Sequence, residues 1–231
     1  MYNSFMKIDL IIPVFNESLF IKSFLQDLLK SKSLKLIRNI IIVNDGSSDE
    51  TISRIRSLKS KEIRIISYNK NHGKGYAMKI GMNAAKKSKA DAVIFMDGDR
   101  QHNPKHLSRF INSLDEHQLI FGYRKLTQDT PYVRKLGNRI VRYLLQTFFN
   151  IKRHDVLCGF MALRKEIFDK IIWESNDYGV EIEISAIVGK KRIAFEEILI
   201  DTLYLDIKKG VTLTKAFFIS LKIPYWYFKY K

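Results

Sequence analysis

Over the first 125 residues, short apolar runs alternate with amphipathic stretches, and this rhythm restricts the fold more than any other feature. "IDLIIPVF" precedes a helical pattern around Phe20, Phe24 and Leu28; then come "NIIIVNDGS", "TISRIRSL" and "IRIIS". A second helical pattern sets Ala77, Ile80, Ala84 and Ala85 on one face, and "DAVIFMDGD" and "HQLIFGYR" complete the series. Apolar runs this short and continuous suit strands covered on both faces. Their alternation with helices predicts an α/β fold: a mainly parallel central sheet, Rossmann-like, with helices on both faces. After Arg124 the character changes. Residues 131–153 are basic and aromatic at helical spacing, with six Lys or Arg and no acid. A shorter strand-and-helix pattern from "VLCGFMALRKEIF" to "RIAFEEILI" predicts a small antiparallel extension. No repeat, low-complexity tract or Pro- or Gly-rich linker divides the chain. One domain over residues 1–210 is expected, followed by an amphipathic aromatic and basic segment, 211–231.

Every strand of a parallel sheet points its carboxyl end the same way, and open α/β sheets bind ligands there. The chemistry-bearing residues fall at those ends. In "AVIFMDGDRQHNP" an apolar strand runs into Asp97 and Asp99 with Gly98 between them. Glycine can bend the backbone until both carboxylates face one point, and the simplest occupant of that point is a hard divalent cation. "PVFNE" ends the first strand and "NDGSSDET" the second, where Asp45 and Gly46 make a turn and Ser48 or Asp49 can cap a helix. "NKNHGKGYA" places Gly73 and Gly75 around Lys74 ahead of a helix, a backbone suited to phosphate but lacking the spacing of the Walker or Rossmann loops. Each stretch alone is also ordinary turn and cap chemistry.

Taken in order, Pro-x-x-Asn-Glu, Asn-Asp-Gly-Ser-x-Asp-x-Thr, Asn-x-Gly-x-Gly and Asp-Gly-Asp-x-Gln-His-x-Pro resemble the inverting glycosyltransferases of the GT-A fold. Within them, the chain looks like the dolichyl-phosphate mannose and glucose synthases over residues 7–210. The resemblance implies inverting, metal-dependent transfer of a sugar from a nucleotide-diphosphate sugar (GDP-mannose or a UDP-hexose) to a polyprenyl phosphate, with Mg2+ or Mn2+ as cofactor. It implies that Pro13, Glu17, Asp45, Lys74 and Asp97 contact the nucleotide, and that Asp97, Asp99 and Gln101 coordinate the metal. Arg124, Arg134, Asn138 and Glu183 then match acceptor-side positions, and Asp97, Asp99, Arg124 and Arg134 form the catalytic set. The chain departs from the family pattern at Asn138, where serine is common, and in "DVLCGFMALRK", where Cys158 and Met161 replace serine and arginine. Glu183 also has a plainer reading as an exposed helix charge.

Relatives that glycosylate a hydroxyl place an acidic pair near that block, and "DVLCGF" offers none. A phosphate monoester, with a second pKa of about 6, is already an anionic nucleophile and needs no general base. The rival enzyme readings are a soluble hydroxyl acceptor and a nucleotidyl transfer. A formal charge of +16, from 40 Lys and Arg against 24 Asp and Glu, favours an anionic partner. No nucleic-acid module is visible and the acidic strand-end loops would repel a polyanion, so no nucleic-acid partner is expected. The single cysteine, Cys158, cannot form an internal disulfide, and no secretory leader opens the chain, which points to a reducing cytoplasmic setting. No apolar run reaches the roughly 18 residues of a spanning helix. Residues 216–228 hold one charge, Lys222; Pro224 is expected to break the helix, and Tyr225, Trp226, Tyr227 and Phe228 to favour the headgroup layer. Lys215, Lys222, Lys229 and Lys231 would meet anionic lipid. A helix from Pro131 to Phe149 would lie alongside, Arg134, Arg139 and Arg142 outward and Leu144, Leu145, Phe148 and Phe149 inward. The expectation is a peripheral enzyme on the cytoplasmic face of an anionic membrane; the alternative is that both helices simply pack on the core.

Overall fold

Ile8–Val14 is apolar at all but one position, which suits only a strand covered on both faces, and it forms β1 inside a seven-stranded sheet. The computed structural model describes residues 6–125, 130, 132–201 and 213–230, with side chains except at 132–134 and 213–218. The other strands are β2 (Ile37–Asp45), β3 (Ile63–Tyr68), β4 (Ala92–Phe95), β5 (Leu119–Arg124), β6 (Met161–Arg164) and β7 (Glu196–Ile200). They lie in the order β3-β2-β1-β4-β6-β5-β7. All pairings are parallel except those of β6 with β4 and β5. The antiparallel element expected after residue 150 is therefore this one strand, inserted within the sheet.

The helices are α1 (Ile21–Lys30), α2 (Thr51–Arg56), α3 (Lys74–Lys87), α4 (Leu107–Ser113), α5 (Tyr132–Phe149), α6 (Val180–Lys190) and α7 (Leu213–Lys229). Side chains alternate along each strand, so the sheet divides the interior into two cores. Leu10, Ile12, Ile40, Ile42 and Ile94 pack with α1, α2 and α4; Ile11, Ile41, Val43, Val93 and Phe95 pack with α3, α5, α6 and α7. The polar exception in β1 is Asp9, fully buried and matched by the Arg38 guanidinium at 2.8 Å and by Asn39 and Ser88.

On α5, Leu145 and Phe149 are buried and Leu144 and Phe148 partly so, as expected, while Arg139 and Arg142 are exposed with Leu136, Ile140 and Tyr143. Pro224 does not break the last helix, which continues to Lys229. A proline inside a helix costs about 3 kcal/mol, but Ile219, Ile223 and Trp226 are buried here, and each such side chain contributes roughly 1.5–3 kcal/mol. Trp226 therefore belongs to the core and not to a headgroup layer; Leu221, Tyr225, Tyr227 and Phe228 stay exposed. Tyr227 packs edge-on against Phe148 and Phe149, which joins α7 to α5. Lys215 and Lys231 lie outside the described side chains. Among the described residues, no helix is long and apolar enough to cross a membrane.

Candidate active site

The strand-end loops meet through specific contacts. Asn16 adopts φ of 53°, and its amide donates to Ser47 Oγ while its own Oδ1 accepts from the Ser48 amide. The Glu17 amide donates to Thr51 Oγ1 at 2.8 Å. Pro13, near the end of β1, and Glu17 thus sit beside the "NDGSSDET" turn. Asp45 is buried, and its two carboxylate oxygens accept from the amides of His72 and Gly73 at 2.8 and 2.7 Å. Asp45, expected to contact the nucleotide, anchors the glycine loop here, as a buried carboxylate is stable only with donors. Gly73 has φ of 99°, and a side chain there would meet the Asn176 carbonyl oxygen at 2.3 Å.

Held this way, the loop aims Lys74 across the strand ends. Its Nζ lies 2.6 Å from Asp97 Oδ1 and 2.7 Å from Glu181 Oε1. Burial alone would lower the ammonium's pKa; the Asp97 and Glu181 carboxylates outweigh it and raise the pKa, so Lys74 stays charged. Burial works against the Asp97 charge too, yet the Lys74 ammonium holds that carboxyl below its ordinary range. The Asp97 amide donates to His102 Nδ1 at 3.1 Å, so the imidazole proton sits on Nε2, 3.8 Å from Asp97 Oδ2. Burial lowers the His102 pKa to about 4, and the ring is neutral. Asp99 Oδ1 accepts from the Gln101 amide at 3.0 Å, closing the turn after β4. Gly98 does not take a left-handed conformation; Arg100 does, with φ of 64°. Glycine is required at 98 for close approach, since a Cβ would come within 2.8 Å of Val14 Cγ1. Gly159 forms the opposite wall, where a Cβ would fall 2.5 Å from Lys74 Nζ and 2.9 Å from Asp97 Oδ2.

The residues expected on the acceptor side have the following partners. Arg124 is buried, and its fork grips Asp155 with Nε 2.6 Å from Oδ2 and Nη2 3.2 Å from Oδ1. Asn138 Nδ2 donates to the same carboxylate at 3.1 Å, and its Oδ1 accepts from the Val156 amide. Asp155 is fully buried and requires a countercharge, and Arg124 and Asn138, which supply its partners, fix the 155–160 segment. Arg134 lies on α5 with its side chain outside the described set. Glu183 is not an exposed helix charge: it is fully buried and accepts from the amides of Glu174 and Ser175 at 2.9 and 2.7 Å. The residue of this cluster that sequence reasoning missed is Glu181, two positions earlier. Its signal was present, because an acid flanked by apolar residues throughout "VEIEISAIV" must be buried, and a buried acid needs a partner. Cys158 lies 3.9 Å from His102 Nε2, and burial pushes its thiol up to about 12, which removes it as a nucleophile.

This strand order, with an acidic turn after β4, defines a GT-A fold. The crystal structure of glucosyl-3-phosphoglycerate synthase from Mycobacterium tuberculosis superposes with a TM-score of 0.76, covering 99% of this chain and 81% of that chain at 19% identity. The same protein in complex with Mn2+, UDP and phosphoglyceric acid aligns with a TM-score of 0.76 at 18% identity. At such identity the likeness is one of fold. Within that fold class the chain belongs to glycosyl transferase family 2, whose model matches residues 9–172. Dodecaprenyl-phosphate galacturonate synthase of Rhizobium johnstonii is 27% identical over 172 residues, covering 72% of this chain and 50% of its own. Undecaprenyl-phosphate 4-deoxy-4-formamido-L-arabinose transferase of Proteus mirabilis is 26% identical over 170 residues, covering 72% and 51%. The chain thus spans about half the length of these curated relatives. An uncharacterised protein of Methanocaldococcus jannaschii is 30% identical over 208 residues, covering 85% of this chain and 88% of that one.

Proposed function

We propose that the protein transfers a sugar from a nucleotide-diphosphate sugar to a polyprenyl phosphate, with inversion, and that it needs a divalent cation. The observation that supports this most is the Asp97–Lys74–Glu181 cluster at the end of β4, with Asp99 beside it and Gly159 closing the wall. Two relatives whose names specify polyprenyl-phosphate sugar transfer support the substrate class. Among the described residues no three His, Cys, Asp or Glu side chains converge on one point. Mg2+ and Mn2+ suit such a site, since they are held through one or two carboxylates plus substrate phosphate and water. Asp97 and Asp99 would hold the cation, with Gln101 next to them. When bound, it offsets negative charge on the leaving diphosphate.

The rest of the chemistry falls to the chain. Lys74 brings a second positive charge to the same point, and its two carboxylate partners fix where that charge sits. The acceptor phosphate attacks without a general base, and Asp155, locked by Arg124, is unsuited to act as one. Arg134, within α5, remains the proposed grip for that phosphate. A hydroxyl acceptor is the second reading, and Glu181 favours it: buried at the site, with burial raising its pKa against the pull of Lys74. Its ion pair with Lys74 leaves it poorly placed to take a proton.

Nucleotide release from GDP-mannose, UDP-glucose, UDP-N-acetylglucosamine and a UDP-uronic acid, with and without a short polyprenyl phosphate, tests the reading. Release that depends on the lipid phosphate supports it; release with a soluble hydroxyl acceptor alone favours the second. Asp99→Ala is expected to lose most activity at an unchanged melting temperature, and normal transfer by that variant with added Mn2+ would discard the metal assignment.

A further inference from the structure

The last helix reaches the glycine loop through one short segment, residues 173–176. The two backbone edges of this segment face different partners. Its amides at Glu174 and Ser175 donate to the buried Glu183 carboxylate. On the other side, the Asn176 carbonyl accepts from the Tyr76 amide at 3.2 Å, and the Trp173 indole donates to the Gly75 carbonyl at 3.0 Å. The approach is close enough that a Cβ on Gly75 would fall 2.1 Å from the Ser175 carbonyl oxygen. Lys79 Nζ ties the segment to α3 through the Glu174 carbonyl and Asn176 Oδ1, both at 2.8 Å. Asp45 grips the far side of the same loop through the His72 and Gly73 amides.

From the chain's end, Tyr230 donates its hydroxyl to Glu183 Oε1 in a very short contact, just beyond α7. Lys229 pairs with Glu174, and Lys222 Nζ lies 3.8 Å from Asp177 Oδ2, so α7 meets the segment at Glu174 and flanks it at Asp177. A continuous run of hydrogen bonds therefore leads from Tyr230 through Glu183 and residues 174–176 to the loop that aims Lys74.

We propose that Tyr230 and Glu183 are positioning residues for the donor site: docking of the chain's end onto Glu183 seats segment 174–176 under the glycine loop and thereby sets the Lys74 ammonium. The idea rests on the reading of the site as a nucleotide-sugar site, but its structural half stands apart from it. The side-chain hydrogen bonds of Tyr230 and Glu183 run to each other and to the 174–175 amides, so both are assigned a positioning role and not a catalytic one. The segment gives them their effect, because a backbone held on both edges cannot shift at one without shifting at the other.

Tyr230→Phe keeps the ring and removes only the donor; Glu183→Gln keeps the shape and removes the charge. Hydrogen–deuterium exchange of the full chain reads the structural half. In Tyr230→Phe, amides at 173–176 and at 72–77 are expected to exchange faster while those of β1 and β2 are unchanged. Calorimetry with UDP and Mn2+ reads the functional half, where an affinity loss on the order of tenfold is expected at a melting temperature within a few degrees of wild type. In turnover the loss should fall on KM for the nucleotide sugar more than on kcat. The double variant should lose less than the product of the two single losses, as members of one network do. Faster exchange confined to α6 and α7, with 72–77 unmoved, would overturn the proposal, as would additive single effects. A wild-type protein that binds no nucleotide overturns the donor-site reading instead, and the exchange pattern then decides the coupling alone. If Glu183→Gln does not fold, Tyr230→Phe decides through exchange and affinity.

Discussion

Single atoms set the limits of the site. Gly159 is the clearest case, because the space a Cβ would need is already filled by Lys74 Nζ and the Asp97 carboxylate. The far ends of flexible side chains can yield, so Gly159→Ala is expected to fold and to separate the ion pair without disturbing the core. Activity should fall at least about tenfold, which corresponds to roughly 1.4 kcal/mol, while the melting temperature moves little. Steady-state assays beside thermal melts check this, and equal activity would remove Gly159 as the wall of the site. At this scale the sequence was partly legible. The acidic turn after β4 and the lysine of the glycine loop were readable from type and spacing. Asp45, Arg124 and Glu183 were legible as charged residues, but the buried partners each takes were not. Which polar partner a buried charge takes depends on what lies across the sheet from it, and Asp155 and Gly73 are distant in the chain from Arg124 and Asp45.

At the scale of elements, continuous apolar runs identified β1, β2 and β4 because strands covered on both faces have no other composition available to them. The insertion of β6 could not be read the same way. Met161–Arg164 is four residues long, and its two neighbours, Ala92–Phe95 and Leu119–Arg124, lie far away in sequence. Helix α7 was misjudged at Pro224 because a local rule was applied where tertiary burial decides. Pro224→Ala should restore an amide donor and remove the ring's clash with the preceding turn, stabilising the protein by about 1–3 kcal/mol. Urea unfolding at unchanged slope is the measurement, and a destabilised variant would mean that the ring itself packs.

For the whole molecule, the exposed sides of α5 and α7 bear on contact with a bilayer. Helices α5 and α7 together present Leu136, Ile140, Tyr143, Leu221, Tyr225 and Phe228 to the exterior, interleaved with Arg139, Arg142 and Lys222. Basic residues at an anionic surface contribute on the order of 1 kcal/mol each. Deleting the last helix would also strip Ile219, Ile223 and Trp226 from the core, so substitution of exposed side chains is the cleaner test. Tyr225→Ser with Phe228→Ser should leave the melting temperature nearly unchanged and release the protein from anionic liposomes, in a sedimentation assay that also shows salt-dependent retention of the wild type. Equal retention by the variant would place the membrane contact elsewhere or nowhere.

The position of β6 also has a bearing on synthesis. A nascent chain that has just released residue 125 has made five of the sheet's strands, yet β5 pairs only with β6 and β7, both still unmade. Until residues 161–164 emerge, β4 presents a bare edge and β5 has no neighbour, the kind of unpaired backbone that other chains can seize. Ribosome-bound intermediates of this protein should thus be most vulnerable to aggregation in the window between those two points. A single four-residue strand closes that window.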